Sequence, residues 1–278
     1  MGVRVVTDSA CDLPQSLVDE LDIEVVPLTI RFGSEELVDR EQLSNEEFWR
    51  RLTTSDVLPE TAAPSAGAFE KRFRELAAAG ASEILCVNLS SRLSATMQAA
   101  QVAASAVTGE CRVEVVDSMT CSMGLGSLCL AAARQAADGA SLDDVLADVT
   151  DRRAHTRTFA TVDTLEFLKK GGRIGNARAL LGSMLAIKPV IEVRDGVVEE
   201  AAKVRTRSKA LRALADKVSE QPVDEVSVMH GGAPDVDELL DLLAPVVPRD
   251  QIVVGEVGPV IGTHAGPRVL GVTFRISA

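Results

Sequence analysis

Ile84-Leu-Cys-Val-Asn88-Leu-Ser90-Ser91-Arg92-Leu93-Ser94-Ala-Thr96 opens as a short apolar run and closes as a cluster of hydroxyls where a helical pattern begins. The run from Ile84 to Leu89 is too short for a helix and is bounded by turn residues, so it reads as a buried strand. Helical spacing follows from Leu93 to Val107, and Val113 to Val116 is the next strand. A helix between two strands forbids a hairpin and implies a right-handed crossover in a parallel sheet. The alternation extends outward. Arg4 to Thr7 reads as an earlier strand, Ser65 caps a helix that Gly80 stops, and small residues from Thr120 to Ala137 form a later helix.

Between the first strand and Ser65, Asp12 is expected to cap a helix with Pro14 in its first turn, and Ile23 to Phe32 alternates like one strand. Ser44 with Glu47 fits a capping box for a short helix through Trp49, and Thr53 to Pro64 reads as a loop. After a helix from Ser141 to Arg153 the pattern changes. Phe159 to Val162 is a strand, and helices are expected around Thr164 to Lys170 and Asn176 to Ala186, broken by Gly171-Gly172. Asp195-Gly196, flanked by Val190 to Val193 and Val197 to Lys203, signals a hairpin. Helices from Ser208 and Asp235 and strands around Val226, Val253 and Val272 follow. The expected fold is α/β, with a Rossmann-like parallel-sheet domain over 1–157 and an α+β domain with a mixed sheet over 158–278.

Charge and composition narrow the function. The 278 residues carry a formal net charge of −12 and a pI near 4.8, which would repel a phosphate backbone. Aromatic residues make up 3% with no tyrosine, leaving few surfaces for stacking bases, so no nucleic-acid partner is expected. No run approaches the roughly 20 apolar residues that cross a bilayer, and Val3-Arg4-Val5-Val6 follows the start without the regions of a signal peptide. The expected location is the cytoplasm. Cys11, Cys86, Cys111, Cys121 and Cys129 never form a C-x-x-C pair, so neither a disulfide framework nor a metal site is suggested. Gly124-Leu125-Gly126 lies inside a helical pattern, not after the first strand, and no P-loop occurs, so no nucleotide cofactor is expected.

Three polar segments stand at the mouths of elements. Thr61-Ala-Ala-Pro64-Ser65 leads into a helix, and Asn88 to Thr96 joins a parallel strand to a helix. Ligands of open α/β sheets bind beyond the carboxyl ends of the strands, where helix N-termini offer free N–H donors to an anion. Helix capping is the plainer role for Thr61, Ser65, Ser90 and Ser94. Gly258-Pro-Val-Ile-Gly262-Thr263-His264-Ala-Gly266-Pro267 reads as a rigid loop that fixes an imidazole able to donate to a carboxylate. Lys169, Lys170, Arg173 and Arg178, with Lys203, Arg205, Arg207 and Lys209, form basic clusters in an acidic chain; a solvated face and a phosphate or partner patch both fit them. Leu180 to Ile187 is apolar enough to line a tunnel, though ordinary core is the plainer reading.

Thr7-Asp8-Ser9-Ala-Cys-Asp12-Leu-Pro14, the Thr61 to Ser65 loop, Ser94-Ala-Thr96-Met-Gln98, Val116-Asp117-Ser118, Gly171-Gly-Arg173-Ile174, Lys188-Pro189, Lys203-Val-Arg205-Thr-Arg207 and Ile261-Gly262-Thr-His264-Ala-Gly266-Pro267 follow one another along the chain. In that order they resemble the DegV family of bacterial fatty-acid-binding proteins over essentially the full length. The resemblance implies a long-chain fatty acid, such as palmitate, stearate or oleate, buried between the two domains. It assigns the carboxylate to Thr61 and Ser94 with His264 nearby, the first domain carrying the headgroup loops and the second closing the acyl pocket. It also implies a carrier that presents its carboxylate to a separate fatty-acid kinase and touches membranes only transiently, for lipid exchange. Arg173, Arg205 and Arg207 are then expected in a phosphate-facing or partner-facing patch near the pocket mouth, outside the lipid site itself. Ala62 and Ala63, Met97 and Arg268 depart from the family's usual residues and bear on the headgroup network and pocket shape. The alternatives are a serine-dependent acyl-transfer or ester-hydrolysing enzyme using Ser94 and His264, for which a G-x-S-x-G elbow is missing, and a nucleotide-dependent enzyme, for which the phosphate fingerprint is missing.

Overall fold

The computed structural model describes residues 2–55, 57–179 and 187–277. β1 (Val3–Asp8) leads through a 3-10 turn to α1 (Gln15–Glu20), β2 (Glu24–Val26), β3 (Thr29–Phe32), β4 (Glu35–Val38) and α2 (Asn45–Thr54). Next come β5 (Glu60–Ala62), α3 (Ala66–Ala78), β6 (Glu83–Asn88), α4 (Thr96–Ala106), β7 (Arg112–Asp117), α5 (Met123–Ala137) and α6 (Leu142–His155). The second half runs β8 (Thr156–Thr161), α7 (Glu166–Lys170), β9 (Lys188–Arg194), β10 (Val197–Val204), α8 (Arg207–Ser219), β11 (Val223–His230), α9 (Val236–Leu243), β12 (Val253–Glu256), α10 (Pro259–Ala265) and β13 (Leu270–Ile276).

The first sheet has the order β2-β1-β6-β7 with every pair parallel. The large sheet has the order β10-β9-β8-β13-β11-β12 and is antiparallel except between β11 and β12. The fold is therefore α/β with a parallel first sheet and a mixed second one. Alternation of side chains sorts the apolar residues into layers. Val6, Ile84 and Cys86 face Phe69 and Phe73 of α3 and Ala100 of α4, while Val5, Leu85 and Val87 turn the other way, toward Leu125 and Leu128 of α5. The same core continues to Ile191, Val198 and Met229 on the inner face of the large sheet. The outer face of that sheet packs Val228, Val272 and Phe274 against Leu211 and Leu214 of α8 and Leu240 of α9. One apolar core thus lies between the two sheets and belongs to both halves, with α5 at its centre.

Several local expectations meet a different outcome. Ile23 to Phe32 is not one strand: Pro27, which has no N–H for a ladder, separates β2 of the parallel sheet from β3, which pairs with β4 and β5 in a small antiparallel sheet. The expected loop before Pro64 therefore contains β5. Asp12 does not cap α1; its backbone is left-handed (φ 52°), and Pro14 stands at the helix start without a side-chain cap. The glycine-rich segment around His264 is not a loop but α10, whose first residue Pro259 has the fixed φ that suits a helix start. The Ser44, Ser65 and Ser141 caps form as expected, each accepting a backbone N–H. The helix expected over Asn176 to Ala186 and the tunnel reading of Leu180 to Ile187 fall largely outside the described residues.

Candidate functional site

An apolar cavity lies between the sheets and is walled by Leu28, Leu89, Phe159, Ile191, Met229 and Val260, among others. It measures about 90 Å³, more than the roughly 10–15 Å³ that one water needs. Ser122 and Thr158 are polar members of the lining, and Thr61, Ser94, Arg173 and His264 join them. Beyond them a cleft opens between Pro59, Glu60, Phe167, Lys170 and Gly171, and its wall again includes Thr61, Arg173 and His264. These three side chains separate an apolar chamber from a polar one.

Each is set by its element. Thr61 stands in β5, registered opposite Ile30 of β3. His264 stands at the C-terminal end of α10, and its Nε2 lies 2.9 Å from the Thr61 hydroxyl. Burial, and after it the charge of Arg173, pushes the imidazole pKa down to about 4, so the ring is neutral at neutral pH. With its proton on Nε2 the ring donates to Thr61 and leaves the threonine proton free for an anion. The His264 Nδ1 is buried without a hydrogen-bond partner, and Gly171 lies so close that a Cβ there would be 2.2 Å from it. Arg173 follows the turn that ends α7; its Nε donates to the Leu93 carbonyl at 3.1 Å and its Nη1 to the Gly171 carbonyl at 2.7 Å.

The loop carrying Ser94 is held from both halves. Asp8 at the end of β1 accepts the Asn88 amide and the Leu89 N–H, and burial raises its pKa to about 6 against those bonds. Ser90 donates to the Gly196 carbonyl at 2.8 Å and Arg92 to the Asp195 carbonyl at 3.0 Å, so the β9–β10 hairpin tip clasps this loop. Gly196 has φ +79° and no room for a Cβ against the Ser90 hydroxyl, and both conditions call for glycine. Ser94 itself shares a hydrogen bond with the Thr96 hydroxyl at 2.9 Å.

The structure therefore gathers Thr61, Ser94 and His264 on one cavity, and Arg173 lines both that cavity and the outer cleft. Arg207 is engaged elsewhere. It pairs with both Asp235 oxygens, at 2.7 and 3.1 Å, and donates to the Arg268 carbonyl. Arg205 is exposed. Ala62, Ala63, Met97 and Arg268 stand outside the cavity lining. Sequence reasoning missed Ser122 and Cys121 in the wall; nothing in a small-residue helix start distinguishes a cavity wall from core. Cys121 is held well toward the thiol by burial, its pKa raised to about 12. A hydrolytic dyad would need Ser94 bonded to His264, but these two hydroxyl and imidazole groups bond to Thr96 and Thr61 instead. Among the described residues no cluster of His, Cys, Asp or Glu could hold a metal ion, and no helix is long and apolar enough to cross a membrane.

A model of the family described as "Uncharacterised protein, DegV family" matches residues 2–276. The DegV domain-containing protein SCO2569 of Streptomyces coelicolor is 39% identical over 276 residues, covering 97% of each chain. A DegV family protein from Thermus thermophilus, whose structure is described as showing fatty acid binding, superposes with a TM-score of 0.92 at 34% identity over 100% of both chains. A stearic acid-binding protein from Eubacterium ventriosum has a TM-score of 0.88 at 25% identity, over 99% of this chain and 98% of that one.

Proposed function

The chain belongs to the DegV family, and we propose that it is a carrier that binds a long-chain fatty acid such as palmitate, stearate or oleate. The tail occupies the apolar cavity and the carboxylate lies against Thr61, Ser94 and His264. The observation that carries this reading is the edge shared by the two chambers, where Thr61, Arg173 and His264 stand between an apolar interior and an open polar cleft. A fatty acid has the matching polarity: a long apolar body and one anionic end. Arg173 adds a cation beside a neutral imidazole and two hydroxyls, and charge-assisted hydrogen bonds offset the cost of taking a carboxylate out of water. The fatty-acid-binding relatives of the same fold support this reading.

On this proposal the carboxylate is presented toward the outer cleft, where a fatty-acid kinase would reach it beside Lys170 and Arg173. The chain is then a non-enzymatic, cytoplasmic partner in that reaction, touching membranes only to exchange lipid, with 1–157 supplying Thr61 and Ser94 and 158–278 supplying His264, Arg173 and most of the acyl wall. The test is gentle-denaturation mass spectrometry of protein purified without added lipid, followed by titration with octanoate, palmitate, stearate and oleate. Near-stoichiometric long-chain acid, or saturable binding of it, is expected. An empty protein that binds none of the four overturns the reading.

A further inference from the structure

Asp12 lies in the opening motif, away from the headgroup groups, and is buried. Its Oδ1 accepts the Gly258 N–H at 2.9 Å and its Oδ2 accepts the Ser122 hydroxyl at 2.5 Å. Gly258 is the residue at which α10 begins, and Ser122 precedes α5 in the cavity wall. The Ser122 N–H in turn donates to the Ala10 carbonyl at 2.8 Å. One carboxylate therefore joins the first strand's exit, the start of α5 and the start of α10. Arg40 stands nearby, donating to the Leu13 carbonyl and to Cys11, and Asp39 adds a second buried carboxylate.

We infer that Asp12 is a positioning residue for the headgroup site: by tying Gly258 to Ser122 it fixes the start of α10 and so the place of His264 at that helix's other end. The tolerance is small. A seven-residue helix rises about 10 Å at 1.5 Å per residue. The Thr61–His264 contact is 2.9 Å and ceases to be a hydrogen bond beyond about 3.5 Å. A tilt of roughly 3–4° about the Asp12 end uses up that slack. Phe48 and Trp49 pack beneath Gly262 and hold the helix against α2, Thr263 bonds back to Pro259 within it, and among the described hydrogen bonds Asp12 alone ties the capping residue Gly258 to the opening segment. A carboxylate suits this place because it accepts from two donors at once, and a buried N–H left without an acceptor is costly.

The consequence for ligand binding rests on the fatty-acid reading above; the consequence for His264 does not. Full-length Asp12→Ala, Asp12→Asn and Ser122→Ala are compared by oleate titration calorimetry and by the ring ¹H–¹⁵N signals of His264, assigned through His264→Gln. Asp12→Ala is expected to lower oleate affinity at least about tenfold, the loss of one charge-assisted hydrogen bond, and to move the His264 signals. Asp12→Asn restores both, since its amide oxygen still accepts from Gly258 and its N–H donates to Ser122. Unmoved His264 signals in Asp12→Ala, or an Asn variant that fails to restore them, overturn the inference. If Asp12→Ala does not fold, Ser122→Ala decides: it moves the His264 signals in the same sense or the inference falls. Should wild-type protein bind none of the four fatty acids, the carrier reading fails while the ring signals still judge Asp12.

Discussion

Replacing Gly171 with alanine would place a single methyl group against the imidazole of His264. The backbone there has φ −75° and ψ −5°, open to any L-residue, so the change carries no conformational strain. The new Cβ would lie 2.2 Å from Nδ1 and 2.9 Å from Cε1 of His264. Ordinary contact begins at 3.4 Å, so the ring must withdraw by about 1.2 Å. Nδ1 and Nε2 face opposite sides of the imidazole, and Thr61 already stands 2.9 Å from Nε2, which blocks a straight retreat. The ring has to swing aside and give up Thr61. Losing a hydrogen bond of the kind made to a carboxylate costs about 1.5–3 kcal/mol, roughly tenfold to a hundredfold in fatty-acid affinity. Overpacking costs stability about 1–3 kcal/mol, partly offset by about 0.4–1 kcal/mol from the stiffer unfolded chain. Oleate titration calorimetry, calorimetric melting and the His264 ring spectrum read the three effects separately. A folded variant with wild-type affinity and unmoved ring signals would show that Gly171 does not set the imidazole and would refute this geometry.

Thr61→Val and Ser94→Ala each remove a hydroxyl from the cavity edge; affinity for oleate is expected to fall roughly tenfold to a hundredfold with melting retained, and collapse of melting with intact affinity would favour a purely structural role. Arg207→Ala breaks a two-point ion pair with Asp235, whose side chains are only 13% and 14% exposed, so urea unfolding should show a loss of about 2 kcal/mol and no change in lipid affinity; the reverse pattern would return Arg207 to the site. Burial raises Asp8 and Asp39 to about pKa 6 and Asp12 to about 7, above the ordinary 3.8. The folded state then binds protons that the unfolded chain releases, a stabilisation complete below pH 3.8 and lost as pH rises through about 6 to 7. His264, lowered to about 4 from its ordinary 6.5, acts in the opposite sense, and its opposing contribution fades as pH rises above 6.5. Between about pH 6.5 and 8 stability should drop by about 1 kcal/mol, roughly 2–4 °C in Tm, and Asp12→Asn should flatten most of it; a wild-type Tm that holds or climbs over that range would contradict the assignment.

The parallel sheet was legible because β6 and β7 are short apolar runs separated by a helix, and the Asp195-Gly196 hairpin because two residues alone can make that turn. Thr61 and Ser94 were legible as hydroxyls at element mouths. What escaped was set by tertiary contact. β5 is three residues of ordinary loop composition that become a strand by pairing with β3. α10 contains Gly262, unfavourable for a helix, yet that glycine is where Phe48 and Trp49 pack. Arg173 read as one of several basic residues; only the folded turn after α7, with its bonds to the Leu93 and Gly171 carbonyls, brings it into the cavity. Asp12 read as a helix cap, and its true partner, Gly258, lies near the other end of the chain.

The last strand of the chain is not the last in its sheet. β13 lies between β8 and β11, with the rest of the large sheet split to either side of it. During synthesis, β8, β9 and β10 can pair with one another, but no strand pairing joins them to β11 and β12 until Leu270–Ile276 has been made. The cavity wall contributed by Met229 on one side and Ile191 on the other cannot close earlier. Contacts this distant in sequence make for slow folding and leave apolar faces exposed meanwhile. A chain lacking Leu270–Ile276 would therefore hold a bisected sheet and an open cavity, and loss of β13 would remove the middle of the large sheet and not its edge.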